Sequence, residues 1–362
     1  MRLIIYVICI VFFSSICFSQ NNKQNSFNKA KTTSKYYNEK RYTALSTSKN
    51  AYNFMALGYY INANNNMYLK TKDKSFLEAN LDIIKPILID ESSSNYLNDN
   101  WKMNVEKTNQ NSSSNGKDHS ISEAYFFRYV GEYLDILKSN NIYKEYHSKI
   151  FKGVKSSFYK WKNKSFKQYG DYSLLFHQRI HIGANWAVVA LYLNKFDGKN
   201  NSDYKDFYTL FDKQLQKALV LKQSGGLNYY VWNMNYPEKF TKFLQSIKKD
   251  NPIIQDVSHG NHVVLYLIKA KELNNKTWTN FNFQYLSNTL KLKILVDNSI
   301  KDNVDGSSTP SLKNTGWKIS DGWLKLIYKD NSLEPLFEKS LKNYQSNIKN
   351  SSLELQFKSI YL

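Results

Sequence analysis

The chain has 362 residues, with 50 Lys and Arg against 30 Asp and Glu and a formal net charge of +20. Its two cysteines, Cys9 and Cys17, sit at the extreme N-terminus, which excludes disulfides, thiol catalysis and cysteine metal sites from the remainder. Only 13 Gly and 5 Pro serve this length, too few for an all-β chain of many turns, and the positive excess favours polyanionic partners.

Met1-Arg2 supplies one charge, Leu3 to Phe13 an apolar run, and Ser14, Ser15 and Ser19 small residues after it. This is the pattern of a cleavable export signal over residues 1–20, and the run is too short for a membrane span. It predicts a periplasmic or secreted protein. Lipoprotein anchoring at Cys17 fits less well, because Ile16 stands where a small residue is expected. Residues 21–40 are polar and poor in apolar side chains, which predicts a flexible leader.

From 41 to 362 the apolar residues recur at helical spacing. Ala124, Phe127, Val130, Leu134 and Leu137 form one stripe, and Phe207, Leu210, Phe211, Leu215 and Leu219 a second. Val263, Val264, Leu267 and Ile268 form a third. Further helices are predicted near 45–69, 75–89, 143–162, 183–194, 283–296, 318–329 and 333–349. The breaks are short and polar: Asn-rich at 62–66 and 139–141, Ser/Asn-rich at 107–118, and 198–201. Some ten helices with brief connections predict one all-α domain whose hairpins, in series, close into an (α/α) toroid or barrel. Two stretches depart from this pattern. Ser224 to Asn233 reads as a loop or short strand, and Asp302 to Thr315 as a loop. No second apolar segment is long enough to span a bilayer, so no integral membrane segment is expected after signal cleavage.

Four clusters carry candidate chemistry. His177, Arg179, His181 and Asn185 stand before or at the start of an apolar helix, where free N–H groups favour anions. Asp256, Ser258, His259 and His262 fall within seven residues. There His262 can neutralise charge or act as a base, the group can bind a metal, or it can be a hydrogen-bonded network. Tyr229, Tyr230 and Trp232 offer aromatic faces for sugar stacking. Trp317, Asp321 and Trp323 form the last cluster, and Arg128 is a lone cation in an aromatic helix, either a carboxylate clamp or a surface residue with a buried stem.

In chain order these are an asparagine opening a buried helix, a Tyr-x-Trp segment, Asp-x-Ser-His-Gly-x-His and Asp-Gly-Trp. The order resembles helical-toroid polysaccharide lyases of the alginate-lyase and glucuronan-lyase type, over roughly Arg179 to Leu326. The resemblance implies β-elimination on a uronic-acid polymer, with Asn185 and His262 facing the substrate carboxylate and a tyrosine handling the proton. Tyr229, Tyr230 and Tyr266 remain candidates for that tyrosine; Tyr230 and His259 complete the expected catalytic set. Arg128, Arg179, His181, Tyr229, Trp232, Asp256, Trp317 and Trp323 are expected to bind substrate. The residue before the Asp-x-Ser-His run is Gln255, where the family commonly has an acid, and Lys313 and Lys318 stand near the fourth cluster in place of an expected arginine.

Such chemistry asks for no cofactor and no metal. The expected partner is an acidic polysaccharide. No helix-turn-helix, RNA-recognition or zinc-finger pattern points to nucleic acid. Two alternatives stand beside the lyase. One is a glycoside hydrolase on the same toroid, with Asp256 and Asp321 as its carboxyl pair. The other is a non-catalytic carbohydrate-binding envelope protein.

Overall fold

The structure, a computed structural model, describes residues 24–33, 38–98, 101–104, 115–197, 201–248, 252–308, 315–349 and 351–361. The export signal lies outside the described residues. Helices α1 (24–33) and α2 (Glu39–Ser46) lead into α3 (Phe54–Thr71) and α4 (Ser75–Ile84). After them come α5 (Ser120–Ser139), α6 (Lys144–Tyr169), the one-turn α7 (Ser173–Phe176), α8 (Ile180–Asp197) and α9 (Asp203–Ala218). A hairpin of β1 (Val220–Ser224) and β2 (Leu227–Val231) precedes α10 (Lys242–Ser246), α11 (Val257–Glu272) and α12 (Gln284–Thr289). The short pair β3 (Leu295–Val296) and β4 (Ser299–Ile300) is followed by α13 (Asp321–Leu324), α14 (Glu334–Leu341), α15 (Gln345–Lys349) and α16 (Glu354–Tyr361). The chain is mostly helical, and no described helix is long and apolar enough to cross a membrane.

Patterning decides which helices lie inside. Helix α8 is buried on every side from Ile180 to Leu193, as expected of a helix apolar all round. Helix α9 buries Phe207, Phe211 and Leu215 and leaves Lys205, Lys213 and Lys217 in water. The buried helices pack in a cycle: α3 on α5, α5 on α8, α8 on α11, α11 on α13, α13 on α16, and α16 back on α3. Helices α4, α6 and α9 each pack on the member of this cycle that precedes them, α3, α5 and α8 respectively. The crossing of α13 on α11 is so close that a Cβ on Gly322 would lie 2.1 Å from the Asn261 carbonyl oxygen, which explains the glycine.

Four members of the cycle run the same way. Near their N-terminal ends Tyr125 of α5 meets Tyr59 of α3, and Arg128 of α5 meets both Asn185 of α8 and His262 of α11. One to two turns further along, Glu132 of α5 accepts from Asn62 and Asn65 of α3 and pairs with Lys269 of α11 at 2.7 Å. At this second level a Cβ on Gly131 of α5 would lie 3.0 Å from the Tyr192 ring of α8, so α3, α8 and α11 each meet α5 at two levels in the same order, as parallel axes require.

Two sequence expectations change, and the expected loop or short strand at 224–233 is borne out. The Asn-rich stretch 62–66 is no break; it sits mid-helix in α3, with Asn62, Asn64, Asn65 and Asn66 buried. They stay there because each amide finds a buried partner: Glu132, Asn80 or Ser359. Part of the expected flexible leader is helical, because Phe27 is fully buried edge-on against Phe76 and Gln24 donates to Asp73 at 2.7 Å. Ser224 to Asn233 contains half of a hairpin turned by Gly225 and Gly226, both at positive φ (55° and 78°), as a tight two-residue turn demands. Most of the 107–118 break lies outside the described residues, as do 198–200 and 309–314.

The Glu132 level links α3, α5, α11 and the segment after α13, since Lys325 also approaches Glu132 at 3.8 Å. Burial alone would raise the Glu132 pKa, but Lys269 and Lys325 lower it from 4.5 to about 2. A carboxylate lowered on folding stabilises fully above its unfolded pKa and loses that contribution as pH falls through its folded one. Here the window runs from about pH 4.5 down to about pH 2, and the contribution is roughly 3 kcal/mol. Replacing Glu132 by Gln leaves Lys269 and Lys325 with a neutral neighbour. The expected cost is about 3–5 kcal/mol at pH 7, with a flatter acid limb in thermal melts recorded across that window.

Candidate active site

The upper level of the cycle gathers the chemistry-bearing side chains. Arg128 is 1% exposed, with Tyr125 one turn before it on the same face of α5 and Tyr129 next to it in sequence. One terminal nitrogen, Nη1, donates to Asn185 Oδ1 and to His262 Nδ1, the latter at 2.9 Å, and the other, Nη2, donates to the Tyr129 hydroxyl. Tyr129 in turn donates to Asp321 Oδ2 at 2.7 Å, and Asp321 Oδ1 accepts from Asn261 at 2.9 Å. Gln356 of α16 donates to the Tyr129 hydroxyl at 3.2 Å. Burial works against the Arg128 charge, yet Tyr129 and Asp321 hold its pKa above the ordinary arginine value.

The geometry fixes a tautomer. An arginine N–H can only donate, so His262 Nδ1 accepts. His262 is buried, and burial together with the Arg128 charge pushes its pKa well below 6.5. A neutral ring accepting at Nδ1 carries its proton on Nε2, and Nε2 is hydrogen-bonded to the Tyr125 hydroxyl. The imidazole therefore donates to the phenol oxygen. The Tyr125 proton is left to point onward, toward the half-buried Tyr59. Burial drives the Tyr125 pKa well above 10, against the pull of Arg128, so the resting group is a phenol, a donor rather than a base.

One turn back along α11, Asp256 caps the helix by accepting from the His259 backbone N–H at 2.9 Å and the Ser258 hydroxyl at 2.8 Å. The His259 ring Nδ1 also binds the Asp256 carboxylate, at 2.8 and 3.0 Å. Burial would raise the Asp256 pKa; the His259 ring and Ser258 overcome it and hold the carboxyl well below its usual range. The His259 side chain is 42% exposed and is thus the accessible imidazole of the group. Its other face stacks on His181, with ring centroids 4.3 Å apart and planes at 29°. Burial and the neighbouring His259 keep His181 neutral, its pKa well below 6.5. His181 Nδ1 and Arg128 Nε are both buried with no hydrogen-bond partner.

The structure therefore brings Arg128, His181, Asn185, Asp256, His259 and His262 together and separates the rest. Asn185 is fully buried and uses both ends of its amide, Oδ1 on Arg128 and Nδ2 on the His181 carbonyl at 2.6 Å, so it positions the guanidinium rather than facing outward. Tyr230, expected to be catalytic, lies elsewhere: its ring stacks on Phe281 and meets Tyr285, and its backbone N–H donates to Thr289 of α12. Tyr266 donates to Asp212, and Tyr229 lies under the Lys293 ammonium. Trp232 and Trp323 are not stacking platforms; they stack on each other in the core, at 1% and 0% exposure, and Trp323 Nε1 donates to the Val257 carbonyl. Trp317 is half-buried beneath Lys318. Arg179 donates to Asn235 Oδ1 at 2.9 Å, on the bridge that leads into α8. The residues sequence reasoning missed are Tyr125 and Tyr59. Tyr125 was legible in principle, since it stands three before Arg128 on one helix face.

Among the described residues no group of three or more His, Cys, Asp or Glu is arranged to hold a metal ion, and His262 turns toward Tyr125 and Arg128 rather than toward Asp256. No protein-family model matches the chain, and no curated protein or solved structure matches it either.

The tautomer is measurable. Nitrogen NMR of the histidine rings should show His262 neutral, protonated on Nε2, throughout pH 5–8. Because folding lowers its pKa, its contribution to stability is complete above about pH 6.5 and declines as pH falls below that. An imidazolium signal from His262 at pH 6 would contradict the arrangement.

Proposed function

We propose that the chain is a lyase of helical-toroid type that cleaves a uronic-acid-containing polysaccharide by β-elimination. The observation that carries this reading is the meeting of a buried cation, Arg128, with the His262–Tyr125 pair and the Asp256–His259 pair, whose imidazole is exposed, at the N-terminal ends of parallel helices. The closed cycle of helix packing supports the toroid. The export signal expected over residues 1–20 puts such an enzyme where polysaccharides are met.

Elimination needs the negative charge of the sugar acid quieted before the neighbouring C5–H is acidic enough to lose. A fixed guanidinium in a poorly solvated interior favours that charge, and more so as it spreads into the enolate. The N-terminal helix ends add positive potential of the same sign. His259, oriented through Nδ1 by Asp256, takes the C5 proton on Nε2. The C–H electrons form the C4–C5 double bond, the C4–O bond breaks, and the departing oxygen takes a proton from the Tyr125–Tyr59 hydroxyl pair. Water is no reactant. Asp256 and Asp321 do not suit the hydrolase alternative, because both carboxylates are buried and engaged, Asp256 by His259 and Asp321 by Tyr129 and Asn261.

A carbohydrate-binding protein without catalysis is the second reading. It is favoured by the saturation of Asn185, whose amide has no group left for a substrate. Incubation with glucuronan, alginate and other uronate polymers decides between them. Rising ultraviolet absorbance from unsaturated ends is expected, and its absence on every polymer, with retention of the polymer, would favour binding alone. His259→Ala should lower kcat by about 10²–10⁴-fold, and the melting temperature should fall as well, because the buried Asp256 loses the ring that pairs with it. Arg128→Lys keeps the charge and loses the fork to Asn185, His262 and Tyr129. It should both lower activity and destabilise the fold.

A further inference from the structure

Tyr230, displaced from the candidate active site, belongs to a separate feature. A shallow cleft of about 470 Å³ is lined by Tyr230, Phe281, Tyr285 and Trp278, with Gln216 and Asn280 among the polar residues that share its lining. It shares no lining residue with the His259–His262 group, and its Trp278 is tied through Asp212 to Tyr266 in the middle of α11.

The cleft is held rigidly. Tyr230 is fixed at both backbone groups by one side chain: its N–H donates to Thr289 Oγ1 at 3.1 Å, and the same hydroxyl is within 2.8 Å of its carbonyl oxygen. Asn288 donates to the Asn228 carbonyl at 2.8 Å, so the hairpin is tied to α12 twice. Beneath, the buried Asp212 accepts from Trp278 Nε1, Tyr266 and Asn275 and fixes the floor. The Tyr230 and Phe281 rings stack with centroids 5.5 Å apart and planes within 12° of parallel, and both are half-buried, so part of the aromatic surface stays open.

We propose that this cleft is a second carbohydrate subsite that takes pyranose rings of a glycan chain by their apolar faces. Flat aromatic surface suits the axial C–H face of a sugar, while amides such as those of Gln216 and Asn280 suit its equatorial hydroxyls. No Lys, Arg, Asp or Glu is among the cleft's lining residues, so recognition there reads ring shape and hydroxyls rather than the carboxylate. The subsite is independent of elimination chemistry.

Cellohexaose, which has no carboxylate and cannot undergo β-elimination, isolates it. Calorimetric titration of the full chain with cellohexaose should show binding that changes less than about twofold between low and high salt, since no ion pair contributes. Tyr230→Leu, which keeps apolar bulk and loses the flat face, should weaken it by at least about tenfold. Asn280→Ala, a change at an exposed position, should weaken it less. Circular dichroism melts confirm that each variant is folded. Absence of cellohexaose binding by the wild type, or equal binding by wild type and both folded variants, overturns the subsite whether or not uronates are cleaved. Cellohexaose binding lost in Tyr230→Leu, with no elimination of any polymer, leaves the subsite standing and removes only the lyase.

Discussion

A guanidinium with 1% of its surface in water governs how this interior is built. Removing such a charge from solvent costs several kcal/mol unless partners surround it. Arg128 obtains them from three directions: Asn185 on α8, His262 on α11 and Tyr129 on its own helix. Tyr129 passes the demand to Asp321, and Asp321 to Asn261, whose carbonyl end accepts from the Gly322 N–H at 2.7 Å. Each partner fixes the rotation of another helix about its axis. A shift of α8 or α11 by a fraction of a turn would strand the cation, so one buried charge specifies several helix faces together.

The same arrangement explains why candidate catalytic groups can be so poorly exposed. Donors fixed before a substrate arrives need no reorganisation as charge develops. Asn185 serves that end by holding Arg128, and Asp256 by holding His259. In the proposed reaction the groups that exchange protons with the substrate are the outermost ones, the His259 imidazole and the half-buried Tyr59.

Much of the helical content was legible because apolar spacing reports burial directly. The stripe on α9 and the apolar run of α8 sit where periodicity puts them. The failures share a physical cause. Asn62 to Asn66 look like a break by composition, yet their amides are buried against Glu132, Asn80 and Ser359, partners up to 293 residues away. Phe27 is one apolar residue in a polar stretch, and its burial against Phe76 depends on a surface that local sequence does not describe. In the candidate site, the Asp256–His259 pair was visible as close spacing. Tyr125 could be placed beside Arg128 by its spacing, but its pairing with His262, 137 residues away, could not. Tyr230 lies in β2 and Trp232 just past its end, where the chain has left the strand, so one aromatic segment was split between an open cleft and the core.

The vertical order of the interior has an evolutionary corollary. The Glu132–Lys269 pair lies deeper along the shared helix axes than the Arg128–His262 group, and the two draw on different side chains. Replacements at the Arg128 level can therefore accumulate while the deeper clamp continues to hold the helices in register. A lineage built on this plan can diversify at one end and stay conservative at the other.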